Sequence, residues 1–303
     1  MSSPMHVVVI GAGLGGLSSA AYLSRSGHNV TLLERDDIPG GRAGVIDSHG
    51  FRLDNGPTVL TMPGLLEDAF AAAGANMADF VTIKKVDPMY RAVYEDGSEL
   101  MVRHGREAMA EEIAKFSNKV EADSFIKFCS WLEKIYKAEM SSFIDTNYDS
   151  VLDLAKPWRD GLRLVQMGAF RKLDKKIGGF FKDDRLQRIF SFQSMYAGLA
   201  PYEALSLYAV ITYMDAVEGV FFPEGGMHAM ATGLAAAVEK AGVRIQYGSS
   251  VSRILRSSGS RGYVTGVELE SGERISCDAV VCNPDLPVAY RTLLGGVDAP
   301  RAA

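Results

Sequence analysis

The chain has 303 residues, 47% of them hydrophobic and 23% charged, enough length and apolar content to bury a sizeable core and too much to remain disordered. A net charge of −5 and a pI near 5.6 exclude a global attraction to nucleic acid and leave any anionic surface to a local basic patch. The three cysteines, Cys129, Cys277 and Cys282, are an odd number without metal-ligand spacing, which excludes a disulfide framework or a zinc site and fits a reducing cytoplasm.

Met5 to Ile10 is a short β-branched run of the kind buried in a parallel sheet, and it feeds directly into GAGLGG. A helix is predicted from Leu14 to Ser26, with Gly27 as its stop and Asn29 to Glu34 as a second parallel strand, which completes a βαβ unit. Val7 to Ser24 carry no charge, but glycines punctuate them and no Lys or Arg precedes them, so they read as strand, turn and helix and not as a leader or a membrane span. Between Val81 and Val102, alternating runs broken by Asp87-Pro88 and Asp96-Gly97 predict antiparallel strands that open a second domain. Residues 106–220 are helical in pattern, with breaks near Lys156-Pro157, Gly178-Gly179 and Ala200-Pro201, and read as a helical lid. Glu203 and Asp215 interrupt the most apolar stretch, so no run reaches the roughly 20 residues that cross a bilayer. After Phe222 the texture changes: an alanine-rich helix through Lys240 precedes strands at Val243–Tyr247, Val251–Arg256, Tyr263–Leu269 and Ala279–Cys282. A sheet-forming segment after a helical insertion predicts one nucleotide domain built from two pieces, 1–80 and 223–303, around a substrate-binding and lid domain at 81–222.

Gly11, Gly13 and Gly16 form a GxGxxG between strand and helix, with Glu34 ending the next strand. Gly11 permits the tight turn, Gly13 lets the backbone approach a pyrophosphate, Gly16 allows helix and strand to pack closely, and the helix N-terminus stabilises the phosphate charge. Glu34 is placed to accept two hydrogen bonds from an adenosine ribose and disfavours a 2′-phosphate, which leaves FAD and NAD both open. In Pro39-Gly-Gly-Arg42 the arginine reads either as a charge-assisted donor to that pyrophosphate or as a solvated loop residue. The five histidines, His6, His28, His49, His104 and His228, are scattered without i, i+4 ligand spacing, and no metal is assigned.

The stretch GAGLGGLSSAAYLSRSGHNVTLLERDDIPGGRAG, followed by FRLDNGPTVLTMP at 51–63, resembles the amino-terminal FAD module of the phytoene desaturase and amine oxidase superfamily. The GGR after the ribose acid separates it from plain NAD dehydrogenases. SFQSMYAGLAPYEALSLYAVITYMD at 191–215 and GVFFPEGGMHAM at 219–230 resemble the bacterial phytoene desaturases in particular. The resemblance implies an α/β fold: a Rossmann-like, GR2-type FAD-binding domain with a parallel sheet and an inserted mixed β/helical substrate domain. It implies non-covalent FAD and the conversion of a saturated C–C bond of a C30 or C40 polyene to a double bond, with oxygen or a quinone as final acceptor. By the same analogy Glu34 holds the ribose, Gly15, Gly16, Gly41 and Arg42 sit along the pyrophosphate, and Gly56, Pro57, Thr58 and Val59 approach the flavin end. Val251 resembles the backbone position that meets the adenine, and Gly11, Ala12, Gly13, Leu14 and Arg35 complete the cofactor set. Relatives of this kind continue well beyond a segment like DAVVCNPDLPVAYRTLL, so the chain is expected to lack the family's C-terminal portion. The alternatives within the superfamily are a carotenoid isomerase or ketolase, an amine oxidase, and a flavin-free lipid-binding scaffold, the last disfavoured by the intact glycine fingerprint.

A hydrocarbon substrate offers no polar handle, so its recognition rests on apolar area in a tunnel. Phe190, Phe192, Tyr196, Tyr208, Tyr213, Phe221 and Phe222 are candidates for its walls, and each taken singly reads sooner as ordinary helical core. Asp153 and Lys156, at i and i+3 where the lid begins, are candidates for a catalytic acid–base pair or, alternatively, a solvated surface pair. From Arg159 to Lys182 seven Lys or Arg stand against two Asp, with Leu162, Val165, Ala169, Leu173 and Phe180 at helical intervals and a break expected at Gly178-Gly179. Such a segment suits peripheral contact with anionic lipid on the inner face of the cell membrane or, as plainly, a solvated helix packed on the lid core.

Overall fold

The computed structural model describes residues 3–295 apart from 141–143, 145, 147–149, 151–152, 154–156 and 258–261. The chain divides into two compact units, residues 1–84 with 222–303 and residues 85–221. In the first unit β1 (His6–Ile10) is buried from Val7 to Ile10, since a parallel strand covered on both faces carries apolar side chains on both. Helix α1 (Leu14–Arg25) buries Gly16, Leu17, Ala20 and Ala21, one face at helical spacing. Strand β2 (Asn29–Leu33) follows. β3 (Val45–Ser48) and β4 (Phe51–Asp54) form an antiparallel hairpin that turns on His49 and Gly50, both at positive φ, the backbone that matches strand twist in a two-residue hairpin loop. Pro63 opens α2 (Pro63–Ala72), where its missing N–H costs no hydrogen bond.

The second unit follows β5 (Ile83–Lys85). β6 (Tyr90–Val93) and β7 (Glu99–Val102) pair antiparallel across Asp96-Gly97, with Gly97 at φ 79. Helices α3 (Arg106–Phe116) and α4 (Lys119–Glu139) come next, and Asn118 caps α4 by accepting from the Glu121 N–H at 3.0 Å. Then come α5 (Trp158–Met167), α6 (Leu173–Ile177), α7 (Asp184–Ile189) and α8 (Ala209–Tyr213). The core of this unit is aromatic: Phe125, Phe128, Phe181 and Phe190 are fully buried, and Phe190 lies 5.1 to 5.6 Å, centroid to centroid, from the other three rings. The basic segment does not run as one helix to Gly178. It ends at Met167, where Gly168 takes φ 76 as a left-handed cap, because a glycine there enters that conformation without steric cost.

The chain returns through β8 (Phe221–Pro223) to the first unit. α9 (His228–Lys240) packs its buried face against α1, and β9 (Arg244–Gln246), β10 (Val251–Arg256), β11 (Val264–Leu269), β12 (Arg274–Ser276), β13 (Ala279–Cys282) and a short α10 (Leu286–Val288) follow. The central sheet has the order β13-β1-β2-β9. All its pairs are parallel, with Val8 of β1 opposite Val280 on one side and Thr31 on the other. β10, β11 and β12 make a separate antiparallel sheet, whose Ile254, Val267 and Leu269 share a core with Val8, Ile10 and Leu33.

Candidate functional site

The carboxyl ends of β13, β1 and β2 meet at one edge of the first unit, the place where an open parallel sheet presents loops and helix N-termini to a ligand. β1 runs into Gly11 at φ +95, and α1 starts after Gly13 as its N-cap, with no acid in the first turn. Gly13 offers the first-turn N–H groups no side-chain acceptor, and they stand at the positive end of the helix dipole. A Cβ on Gly16 would collide with the Gly11 carbonyl, so only glycine lets the helix approach the strand this closely.

The loop after β2 lies along this turn. The Gly40 N–H donates to the Ala12 carbonyl at 2.8 Å, Gly13 and Gly40 form an isolated parallel bridge, and a Cβ on Gly41 would come within 3.5 Å of Gly13 Cα. Two side-chain-free strips of backbone thus run next to each other. Glu34, just past β2, is 5% exposed. Its carboxylate accepts from the Ala12 N–H at 2.6 Å and from the Asp36 N–H at 3.0 Å, charge-assisted bonds that aim it into the glycine turn. Its main-chain carbonyl accepts from the Ser249 N–H at 2.7 Å, which fixes the approach to β10, the strand that Val251 begins.

Leu14 begins α1, and Arg35 points to solvent and pairs with Asp36 at 3.7 Å. Arg42 sits in a single helical turn, Gly41–Ala43. Its guanidinium is largely exposed and meets Asp285 at 2.6 Å. Gly56 lies so close on the Arg42 carbonyl that a Cβ there would overlap it, and Pro57, Thr58 and Val59 continue exposed from that contact.

Four further residues converge here that sequence reasoning missed. Asn283 follows β13, its N–H donates to the Ile10 carbonyl at 3.1 Å, and its side chain lies over the turn, 3.2 Å from where a Cβ on Gly13 would be. Asp285 holds Arg42, His228 of α9 bonds the Ala43 carbonyl of the loop, and Asp54 accepts from the Met227 N–H at the start of α9. The signal for Asn283 was positional: a polar residue directly after the strand that neighbours β1 occupies the carboxyl edge of the sheet.

In the second unit Asp153 accepts from the Ser150 N–H at 2.8 Å and from its hydroxyl at 3.0 Å, a local turn bond. Lys156 lies outside the described residues. A different carboxyl is buried in this unit: Asp215, 1% exposed. Its Oδ2 accepts from the Tyr90 hydroxyl and from Gln193 Nε2, each at 3.1 Å, while Oδ1 has no partner among the described residues. Burial pushes this carboxyl above the ordinary aspartate range, and the Tyr90 phenol rises with it through burial and the neighbouring carboxylate. Of the aromatic candidates, Phe190 is core. Phe192, Tyr208 and Tyr213 pack partly buried against that core, and Tyr196 is exposed.

Residues 14–302 match the family model described as flavin containing amine oxidoreductase. The chain is 51% identical over 288 residues to phytoene dehydrogenase of Streptomyces griseus, covering 95% of this chain and 56% of that protein. It is 35% identical to the zeta-carotene-forming phytoene desaturase of Myxococcus xanthus, covering 95% of this chain and 55% of the relative. The chain thus spans about half the length of the curated relatives it matches. Among solved structures, an oxidoreductase from Methanosarcina mazei superposes with a TM-score of 0.61 at 22% identity, over 98% of this chain and 63% of that one, a likeness of fold.

Proposed function

The chain belongs to the flavin containing amine oxidoreductase family, and from that premise we propose that it is the FAD-holding portion of a carotenoid desaturase that introduces C=C bonds into phytoene or a related C30 or C40 polyene. The observation that carries this reading is the pair of bare glycine strips with a buried carboxylate at their edge. They fit a dinucleotide: the uncapped start of α1 and the Arg42 guanidinium face the pyrophosphate, Glu34 accepts from the ribose, Val251 borders the adenine, and Gly56 to Val59 lead toward the flavin. Bound FAD supplies the two-electron acceptor for hydrogen taken from the polyene, with oxygen or a quinone as the final oxidant. The protein's part is to bind, orient and exclude water. The test is a titration of the purified protein with FAD, followed by incubation with a C40 or C30 polyene in vesicles under air or with a quinone. Flavin binding and a red-shifted polyene spectrum are expected, and a protein that leaves FAD unbound at saturating concentration refutes the reading.

Arg42 meets its phosphate in competition with Asp285. Their contact is exposed at both ends, so it is worth at most about 1 kcal/mol. Asp285→Asn is therefore expected to tighten FAD binding by up to about fivefold, read by flavin fluorescence titration. Weaker binding in this variant would show that Asp285 helps to hold the cofactor.

No helix among the described residues is long and apolar enough to cross a membrane. On α5, however, Trp158, Leu162 and Val165, at i, i+4 and i+7, are 50 to 62% exposed, whereas Leu164 turns inward at 4%. Arg159 and Arg163 flank this outward apolar face, and Arg171, Lys172 and Lys175 follow it. Together they suit peripheral attachment to an anionic bilayer, the phase in which a polyene dissolves, on the inner face of the cell membrane. Leu162→Glu with Val165→Glu is expected to lower the fraction of protein floating with phosphatidylserine-containing vesicles by about tenfold, while leaving FAD binding intact. Unchanged flotation removes α5 as the contact.

A further inference from the structure

Helix α9 starts without a side-chain cap of its own and without an acid in its first turn. Its cap comes from 173 residues away: Asp54 accepts from the Met227 N–H at 2.9 Å and from the His228 N–H at 3.2 Å. Gly226, at φ +93, leaves room for this carboxylate, since a Cβ there would stand 2.9 Å from Asp54 Oδ2. The α9 terminus is thus satisfied by a protein carboxylate and is closed to a phosphate. The same bond fixes His228 at the first position of the helix.

The His228 ring is 5% exposed, and its Nδ1 lies 3.0 Å from the Ala43 carbonyl. A carbonyl only accepts, so Nδ1 carries the proton and donates. Around it the loop 40–44 is held at three further points. The Gly40 N–H is bonded to Ala12 at 2.8 Å, the Gly44 carbonyl accepts from the Asn55 N–H at 3.2 Å, and the Arg42 carbonyl is covered by Gly56. Gly40 itself must be bare, because a Cβ there would be 3.0 Å from His228 Nδ1. The backbone that carries Arg42 is therefore held, while its side chain, among the described residues, meets Asp285 in an exposed contact.

We propose that His228 and Asp54 are positioning residues for the cofactor: Asp54 seats the start of α9, and His228 Nδ1–H pins the Ala43 carbonyl, so that Arg42 is presented to the pyrophosphate in a loop already shaped for it. The inference rests on the FAD-binding reading given above. Preorganisation of this kind acts on affinity, because the ordering of the loop is complete before the ligand arrives.

The test uses His228→Ala and His228→Asn, with two readouts on each: FAD affinity by fluorescence titration, and amide hydrogen exchange of residues 40–44 without FAD. An asparagine amide nitrogen reaches the place of Nδ1 and restores the donor. His228→Ala is expected to weaken FAD binding about tenfold and to speed exchange in the loop, whereas His228→Asn stays within about threefold of the parent on both. Asp54→Asn, which keeps one acceptor and loses the charge, is expected to fall between them. The inference is overturned if His228→Ala leaves both readouts at parent values. It is overturned equally if His228→Asn is as impaired as alanine, since ring packing and not the hydrogen bond would then matter. Failure of the parent protein to bind FAD would instead strike the functional reading, and the exchange data would still judge whether His228 shapes the loop.

Discussion

Glu34→Ala is expected to weaken FAD binding by about a hundredfold or more and to lower stability by about 2–4 kcal/mol. The carboxylate is 5% exposed and serves two backbone donors, Ala12 N–H at 2.6 Å and Asp36 N–H at 3.0 Å. Alanine leaves both without an acceptor: Ala12 is fully buried, and an orphaned buried donor costs about 1–3 kcal/mol, with a smaller loss at the exposed Asp36. The Ala12 amide lies inside the glycine turn, so losing its acceptor loosens the strip proposed to face the pyrophosphate as well as removing the proposed ribose acceptor. Glu34→Gln separates the two effects. Its single amide oxygen serves one N–H while its NH2 group confronts the other donor, so intermediate stability and affinity are expected. Urea unfolding and FAD titration on the three proteins give both numbers, and parent-like affinity in the alanine variant would remove Glu34 from the cofactor site.

The parts of this site that were legible in the sequence are those encoded locally. A buried parallel strand shows as a run of β-branched residues, and a close approach of helix to strand shows as a glycine at fixed spacing, which is why β1, α1, β2 and the roles of Gly11 and Gly16 could be read from the stretch Met5 to Glu34 alone. The contribution of Asp54, His228 and Asn283 could not. Asp54 and His228 act across 174 and 185 residues of chain, and neither sits in a pattern that separates it from a solvated loop residue. Only the return of the chain through α9 and β13 gives them partners. Arg42 illustrates the same limit from the other side. GGR spacing pointed at a phosphate, whereas the acid that competes for the guanidinium, Asp285, follows 243 residues later.

The helical unit was harder to read because apolar periodicity there carries two meanings. Leu162, Val165, Ala169 and Leu173 have the spacing of one buried face, yet Ala169 and Leu173 are fully buried while Leu162 and Val165 are 50% and 58% exposed. Gly168 ends the helix between the two pairs and turns the chain. Asp215 served in the sequence only as a charge that breaks an apolar run. In the fold that run wraps the carboxyl, and Tyr90 and Gln193 come from distant segments to bond one of its oxygens. A charge inside an apolar run therefore marked a buried acid.

A second buried acid gives the largest expected dependence on pH. Glu139, in the last turn of α4, is 5% exposed, its Oε1 has no hydrogen-bond partner among the described residues, and burial pushes its carboxyl up to about 8. The folded chain then holds a proton that the unfolded chain releases near the ordinary value of 4.5. Between these two values the folded state binds more protons, so stability falls as pH rises. The contribution is complete below about 4.5, and it is lost progressively as pH climbs through the folded value near 8. Asp215 is displaced in the same direction by the same cause and adds to the slope. Glutamine at position 139 keeps the shape and cannot ionise. Glu139→Gln is thus expected to match the parent near pH 5 and to exceed it by about 2–4 kcal/mol near pH 8, measured by urea unfolding across that range. Parallel stability curves for the two proteins would mean that Glu139 is ionised in the folded chain and that its charge is met by a partner.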